Sequence, residues 1–444
     1  MIGSTNGFRL LSEWDRPDGV AAPELAATWA RLEMWADSTC ITQVEDAEVG
    51  SARRGIYCSL YPLAEWVAFN WWLLQAHARP ASLGPSSSAW SAQRGTSHPA
   101  WLKHHNIRAA GDGFAWPDLA VLPSGDRTRI VWRADRAKTS SKPIRYLVDG
   151  DADVPSALVT RALAEVVEAV LARLDEQGIT ASPLAEEWRA ISEATTEERE
   201  FCIAAARMGR DPYALPTDLA ELLMQAANEL KPDLLADFLD AADPATIGAE
   251  LDWVKQTSSD IDELEASPSL ALDELRRQTR GANEPSQAPP WSRGFRQARL
   301  VRKIMGLAPT EPFPLNGLIN YRESFSEARG FQGLGGLTRR GGETLMLSRP
   351  FPEDAARFAG ARALWHFAID DTTDRFLLTR AHGDRQSVAR SFAAELLAPA
   401  DGIRELLGTT REMAAEEDIE SIATAFRVSS LVVDHQILNQ LTPE

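Results

Sequence analysis

Cysteine is scarce: Cys40, Cys58 and Cys202 are the only ones in 444 residues, and none forms a CxxC pair. That spacing excludes a disulfide framework and a cysteine zinc knuckle, and it fits a reducing, cytoplasmic setting. Positive charge is also in deficit. Lys and Arg total 46 against 64 Asp and Glu, a net charge of −18, whereas a protein that coats nucleic acid needs the opposite balance. Long apolar runs are missing as well. The most apolar stretch, Trp66 to Leu74, is short and broken by Asn70, so no membrane partner is expected. The opening MIGSTNGFRLLSEW has neither a basic n-region nor an apolar h-region, and no signal peptide is expected. There is no Gly-x-Ser-x-Gly, no P-loop and no Gly-x-Gly-x-x-Gly after a strand, which leaves nucleophilic hydrolase and nucleotide chemistry without an anchor.

Tryptophan is abundant. Ten of the 14 fall between Trp14 and Trp132, with no basic run interleaved, so they read as bulky core and not as a stacking platform for bases. Composition then predicts an α+β chain in several parts. Residues 1–180 mix β-branched and aromatic segments (Ile130–Trp132, Ile144–Val148) with helices, among them a buried one from Tyr61 to His77. Val159, Leu163, Val166, Val170 and Leu174 recur at helical spacing from Pro155 to Gln177, with Gly178 where a C-cap belongs. Residues 181–277 read as a helical, acidic region and 278–291 as a linker. Ala81 to His98, rich in Ser, Gly and Pro, reads as a loop. Residues 292–444 form the last domain.

Within that last part the order of segments is specific. Arg357-Phe358 leads into Arg362-Ala363-Leu364-Trp365-His366. A second helix carries Ala389-Arg390 and then Phe392-Ala-Ala-Glu-Leu-Leu-x-Pro399. The chain closes on Val428-Ser429 and His435-Gln436-x-x-Asn439. This pattern resembles the ImmA/IrrE family of bacterial metallopeptidase-like proteins, over roughly residues 292–444. The resemblance implies a mostly helical, zincin-like C-terminal domain in a regulatory, stress-response or phage-defence protein. It also implies a His-Glu-x-x-His site, in which two histidines on one helix face hold zinc and the Glu activates a water. Here Arg362 stands at the first His, Ala363 at the Glu, and only His366 remains. The third ligand, a Glu ahead of an Ala-Asn pair, is replaced by Gln386, Ser387 and Val388 ahead of Ala389-Arg390. One imidazole beside a guanidinium cannot hold zinc, so no cofactor is expected and Arg362, His366 and Glu395 are expected to form a charge-paired network in a vestigial cleft. The implied protein is a catalytically inactive module that binds a protein partner or small ligand.

Other residues offer competing chemistry. His366, Asp370, Asp371, His382 and Asp384 could rebuild a metal site, and with it a peptidase, although Asp370-Asp371-Thr372-Thr373 reads more simply as a helix end. Trp116-Pro117-Asp118 with Asp135 and Lys138 faintly resembles a nuclease pattern, one residue too long. His98, His104, His105 and Asp112 cluster in what reads as a solvated loop. Ile419 to Asn439 has helix-turn-helix spacing but no Lys or Arg on its second helix, so packing is favoured over DNA reading. The better nucleic-acid candidate is the patch Arg293, Arg296, Arg299, Arg302 and Lys303, backed by Arg276, Arg277 and Arg280. Domain docking against the acidic middle is expected ahead of DNA binding.

Overall fold

Along Trp29–Ala36 every second residue is apolar, and Ala30, Leu32, Met34 and Ala36 all turn into a core. That period of two makes a strand with one wet face. The computed structural model describes residues 7–17, 19–46, 50–78, 99–135, 144–264, 269–282, 288–323, 331–340, 342–408 and 415–441. The chain is α+β and divides into two units, Met1–Leu223 and Met224–Glu444.

The first unit holds β1 (Phe8–Trp14), α1 (Pro23–Ala27), β2 (Trp29–Ala36), β3 (Thr39–Cys40), β4 (Val44–Asp46), β5 (Ser51–Arg53) and β6 (Ile56–Ser59). Helices α2 (Tyr61–Phe69), α3 (Trp71–Ala76) and α4 (Pro99–His105) follow, then β7 (Asp118–Ser124), β8 (Arg127–Arg133), β9 (Ile144–Tyr146) and β10 (Gly150–Pro155). Helices α5 (Ser156–Glu176), α6 (Pro183–Glu193) and α7 (Thr196–Arg207) come last, and the division between units falls inside α8 (Thr217–Glu229). Strand β2 pairs antiparallel with β1, β3 and β6, and two smaller sheets run β5–β4–β9 and β10–β8–β7. The expected Tyr61–His77 helix is split at Asn70, whose Nδ2 donates to Trp66 O at 2.7 Å, a side chain competing with the backbone for the helix ladder. Of the ten tryptophans expected in a core, Trp66, Trp71, Trp72, Trp101, Trp116 and Trp132 are buried, Trp29 and Trp35 are half-buried, Trp14 is exposed, and Trp90 lies outside the described residues. Helix α5 buries its Val159–Leu174 stripe, and Gly178 follows it at φ +76°.

The second unit opens with α9 (Pro232–Leu239), α10 (Ile247–Glu263), α11 (Leu270–Thr279) and α12 (Pro290–Ile304). Strands β11 (Asn320–Glu323), β12 (Leu334–Arg339) and β13 (Thr344–Leu347) precede α13 (Glu353–Ala368), β14 (Arg375–Thr379) and α14 (Asp384–Leu397). Helices α15 (Ala400–Leu407), α16 (Glu416–Phe426) and α17 (Ser430–Gln436) close it. One sheet runs β11–β13–β12–β14, with β14 at an edge.

The helical stretch of 181–277 does not form a body of its own. Leu184, Trp188, Ile191 and Cys202 belong to the core of the first unit, whereas Leu272 and Leu275 pack with Leu364 and Phe367 in the second. The supposed linker is anchored at both described ends: Thr279 closes α11, and Ala282 accepts a hydrogen bond from Gln297 Nε2. Residues 283–287 and the expected loop from Ala81 to His98 lie outside the described residues.

Helices α12, α13 and α14 form the heart of this unit, with Ala361, Trp365, Phe392, Leu396 and Leu397 fully buried. The approach of α12 to α14 requires Gly294, where a Cβ would collide with Ser391 Oγ and lie 2.5 Å from Val388 O. The backbone of α14 cannot retreat from a buried position, so Gly294→Ala should cost about 1–3 kcal/mol, as overpacking does. Chemical denaturation of the two proteins measures it; equal midpoints would mean that the helices separate freely.

Candidate functional site

Arg362 lies on α13 where the helix meets the end of β14, and it is buried. Its Nη2 donates to Thr379 O at 3.0 Å and to Gln386 Oε1 at 2.5 Å, while its Nε, equally buried, has no hydrogen-bond partner among the described residues. Gln386 is itself held on both sides: Oε1 accepts from Thr379 N at 3.1 Å and Nε2 donates to Leu377 O at 2.7 Å. Burial, with the charge of Arg390 in second place, lowers the Arg362 guanidinium to about 9, while Asp237 on α9 works the other way.

Arg390 stands one turn beyond Gln386 and is half-buried. Its Nη1 donates to the same Thr379 O at 3.4 Å, and its Nη2 lies 3.4 Å from His382 Nδ1 and 3.5 Å from Ser387 Oγ. These are long bonds, at the limit of useful geometry.

His366 sits one turn along α13 from Arg362 and is fully buried. Burial holds its imidazole neutral, well below the usual histidine value, against the pull of Asp370. In that form Nε2 donates to Thr373 O at 3.1 Å and Nδ1 accepts from Thr338 Oγ1 at 2.8 Å. Asp370 accepts from Arg385 Nη2 and Thr372 Oγ1, both at 2.6 Å, and these donors hold its carboxyl below the usual range against burial. Asp384 pairs with Arg293. Three of the residues offered for a rebuilt metal site, His366, Asp370 and Asp384, are thus engaged elsewhere. Among the described residues no group of three or more His, Cys, Asp and Glu is placed to hold an ion, and a buried guanidinium with a histidine spent on both nitrogens does not fit zinc.

The expected network of Arg362, His366 and Glu395 does not form. Glu395 lies nine residues beyond Gln386 on α14, half a turn out of phase and on the order of 13 Å along the axis, so it faces away from Arg362. It accepts instead from Arg299 Nε (2.7 Å), Gln436 Nε2 (2.8 Å), Gln440 Nε2 (2.7 Å) and Ala400 N (3.3 Å). Nearness in sequence pointed to the wrong carboxylate, because the periodicity of α14 puts residue 395 on the opposite face from residue 386. The second helix of the helix-turn-helix pattern, α17, is thereby spent on packing: Gln436 is buried against Glu395 and Ala398 O.

The arginine patch is divided as well. Arg293 pairs with Asp384 and Arg299 with Glu395, while Arg302 is buried, giving Nη1 to Leu396 O and Nη2 to Ala308 O and Glu311 O. These arginines fasten α12 to α14 and to the chain after α12. Arg296 and Lys303 lie on the same helix; Lys303 is exposed and Arg296 half-buried. Sequence reading also passed over the role of Arg276, whose Nε donates to Phe367 O at 2.6 Å while Thr279 Oγ1 reaches Ala368 O at 2.7 Å. Together they cap α13 from α11.

In the first unit the weaker candidates resolve into buried networks. Asp118 accepts from Asn106 Nδ2 at 2.7 Å, and Arg108 bridges it to Asp135 at 3.5 and 2.9 Å. A guanidinium thus lies between the carboxylates suggested for magnesium; Lys138 is outside the described residues. His104 and His105 lie on α4, not in a solvated loop, and His98 is outside the described residues. His105 Nε2 meets His77 Nδ1 at 3.1 Å while its Nδ1 meets Val121 O at 2.9 Å, and Trp101 stacks on its ring at 4.4 Å. Asp112 is in a turn with φ +54° between two glycines.

No described helix is long and apolar enough to cross a membrane. Compared with family models, curated proteins and solved structures, the chain finds no match.

These charges have measurable consequences. Burial lowers His77 to about 4 and pushes His105 down too. The unfolded chain therefore takes up protons that the fold refuses, and stability present above about pH 6.5 is lost as pH falls toward 4. His77 alone accounts for about 3 kcal/mol of that loss, and denaturant melts should show a shallower pH dependence in His77→Gln. In the second unit, Glu395→Leu strands buried amide donors and should cost about 3–5 kcal/mol. Arg362→Met removes a charge that has no described carboxylate in contact and should cost under about 1.5 kcal/mol. The reverse order in equilibrium unfolding would overturn this account of both charges.

Proposed function

We propose that residues 292–444 are an ImmA/IrrE-like peptidase domain that has lost its chemistry and serves as a binding or sensing module in a bacterial regulatory or defence protein. The observation that carries this reading is the hydrogen bond from Arg362 to Gln386. Arg362 stands where the family resemblance puts the first zinc histidine. Of the three residues ahead of the Ala389–Arg390 pair, Gln386 is the one whose side chain turns toward it. Two ligand positions would therefore still meet in space, joined by an organic pair where a metal would otherwise join them. His366 at the remaining ligand position is engaged on both nitrogens, and Ala363 supplies no base to activate a water. Three buried free cysteines suit the reducing cytoplasm this role implies.

The test is to rebuild the site. Arg362→His, Ala363→Glu and Gln386→Glu together should convert a protein that takes up no stoichiometric zinc into one that binds one equivalent. Without zinc the triple variant should be less stable than the parent. A carboxylate in place of the Gln386 amide cannot donate to Leu377 O and leaves that carbonyl unpaired. Metal analysis with thermal melts reads both effects. One equivalent of zinc on the parent with chelator-sensitive cleavage would sink the binding-module reading. A folded triple variant that stays zinc-free would sink the assignment of the ligand positions.

A further inference from the structure

Strand β1 runs along the rim of its sheet: β2 lies on one side of it, and no described strand pairs with the other. The ladder with β2 fixes which backbone groups are spent. Asp37 N donates to Gly7 O and Asp15 N to Trp29 O, both at 2.9 Å, so the odd-numbered residues face β2. The N–H and C=O groups of Phe8, Leu10, Ser12 and Trp14 therefore point to the free edge, where no described backbone group bonds to them. The usual edge protections are missing. The strand has no proline or lysine, pairs with β2 through all seven residues without a bulge, and exposes Leu11, Ser12, Glu13 and Trp14, hence both of its faces. On the face away from the core it reads Arg9, Leu11, Glu13, an order that complements itself when reversed.

We propose that β1 is the two-fold contact of a homodimer, pairing antiparallel about Leu11 with β1 of a second copy so that two sheets become one. A two-fold contact uses the same patch on both copies, and this patch is self-complementary. With Leu11 on the axis, Leu10 meets the partner's Ser12 and Phe8 meets the partner's Trp14 as hydrogen-bonded pairs, which uses every edge-facing group. Arg9 then stands opposite the partner's Glu13 at the closely spaced positions, where opposite charges attract. A shift of two residues either way sets Leu11 against Arg9 or Glu13 and parts the two charges. Both charges have capacity left: Glu13 is exposed with one 3.3 Å contact to Arg31, and Arg9 gives only Nη2, to Asp37 O at 3.1 Å. Seven residues a side is small against the about 20–30 of a standard interface, so a dissociation constant on the order of micromolar is expected. This inference concerns the first unit and is independent of the Arg362 cleft.

Sedimentation velocity of the full chain from about 1 to about 200 μM, a range that brackets such a constant, tests it. The parent should pass from monomer to dimer across that range. Leu11→Lys sets like charges on the axis and should leave the chain monomeric. So should Ser12→Pro, which removes an edge-facing N–H and no bond to β2. The decisive arm is charge. Arg9→Glu and Glu13→Arg should each weaken self-association by about tenfold or more, since two attractive pairs become repulsive. Mixed in equal amounts, these two variants should dimerise with one another, because both ion pairs are restored; that recovery also shows that each is folded. A parent that stays monomeric overturns the proposal. So does a dimer that survives Leu11→Lys and Ser12→Pro, which would place the contact on another surface, and so does a charge-variant mixture that fails to recover.

Discussion

A helix that is buried along its length must find partners for every polar side chain it carries, and α14 is such a helix. Gln386, Ser391 and Glu395 are all buried on it, between Val388, Phe392, Leu396 and their apolar neighbours. Desolvating a carboxylate costs several kcal/mol unless donors replace the lost water. Glu395 meets that demand with donors from α12, α15, α17 and the turn that follows α17. The positions of four C-terminal segments are thus tied to one carboxylate. At the other end of the helix the same constraint is met by a neutral amide. Gln386 gives Nε2 to Leu377 O and takes Thr379 N, the two groups that a parallel strand residue opposite Leu378 would engage. Its side chain continues the sheet past β14, an edge strand that would otherwise leave these groups unpaired.

This explains why Arg362 can be tolerated in an apolar setting. Gln386 Oε1 is already polarised by Thr379 N, and Thr379 O is turned to accept, so the guanidinium docks on acceptors that the sheet edge supplies. No acid is needed in contact, only the distant field of Asp237.

The large elements were readable in the sequence and the small networks were not. Helix α5 followed from its Val and Leu spacing, and the pairing of α13 with α14 followed from Ala361, Trp365, Phe392 and Leu396, because burial leaves a periodic trace. Six of the ten early tryptophans are core as read, while Trp14 is exposed at the end of β1. Partner choice leaves no such trace. Arg299 reaches Glu395 across 96 residues and Arg276 reaches Phe367 O across 91, and in a one-dimensional reading both belonged to a docking or polyanion patch. The acidic stretch of 181–277 misled in the same way: its outer faces share a composition, but its buried faces belong to two different cores.

Two buried arginines of this unit are held in different ways. Arg302 gives its nitrogens to backbone carbonyls after α12 and on α14, Leu396 O among them at 2.8 Å, and so serves as a clamp. Arg362 gives one nitrogen to its two acceptors and keeps its Nε idle in a buried place. An idle buried donor costs about 1–3 kcal/mol. Yet Arg293 and Arg385 also leave their Nε without a described partner while holding ion pairs with Asp384 and Asp370, so Arg362 shares this state with the fastening arginines around it. Methionine at this position would give up the bonds to Thr379 O and Gln386 Oε1 in exchange for apolar contact. Each of those acceptors keeps a second donor, Arg390 or Thr379 N, so the charge is tolerated there and is not what holds the helix pair together.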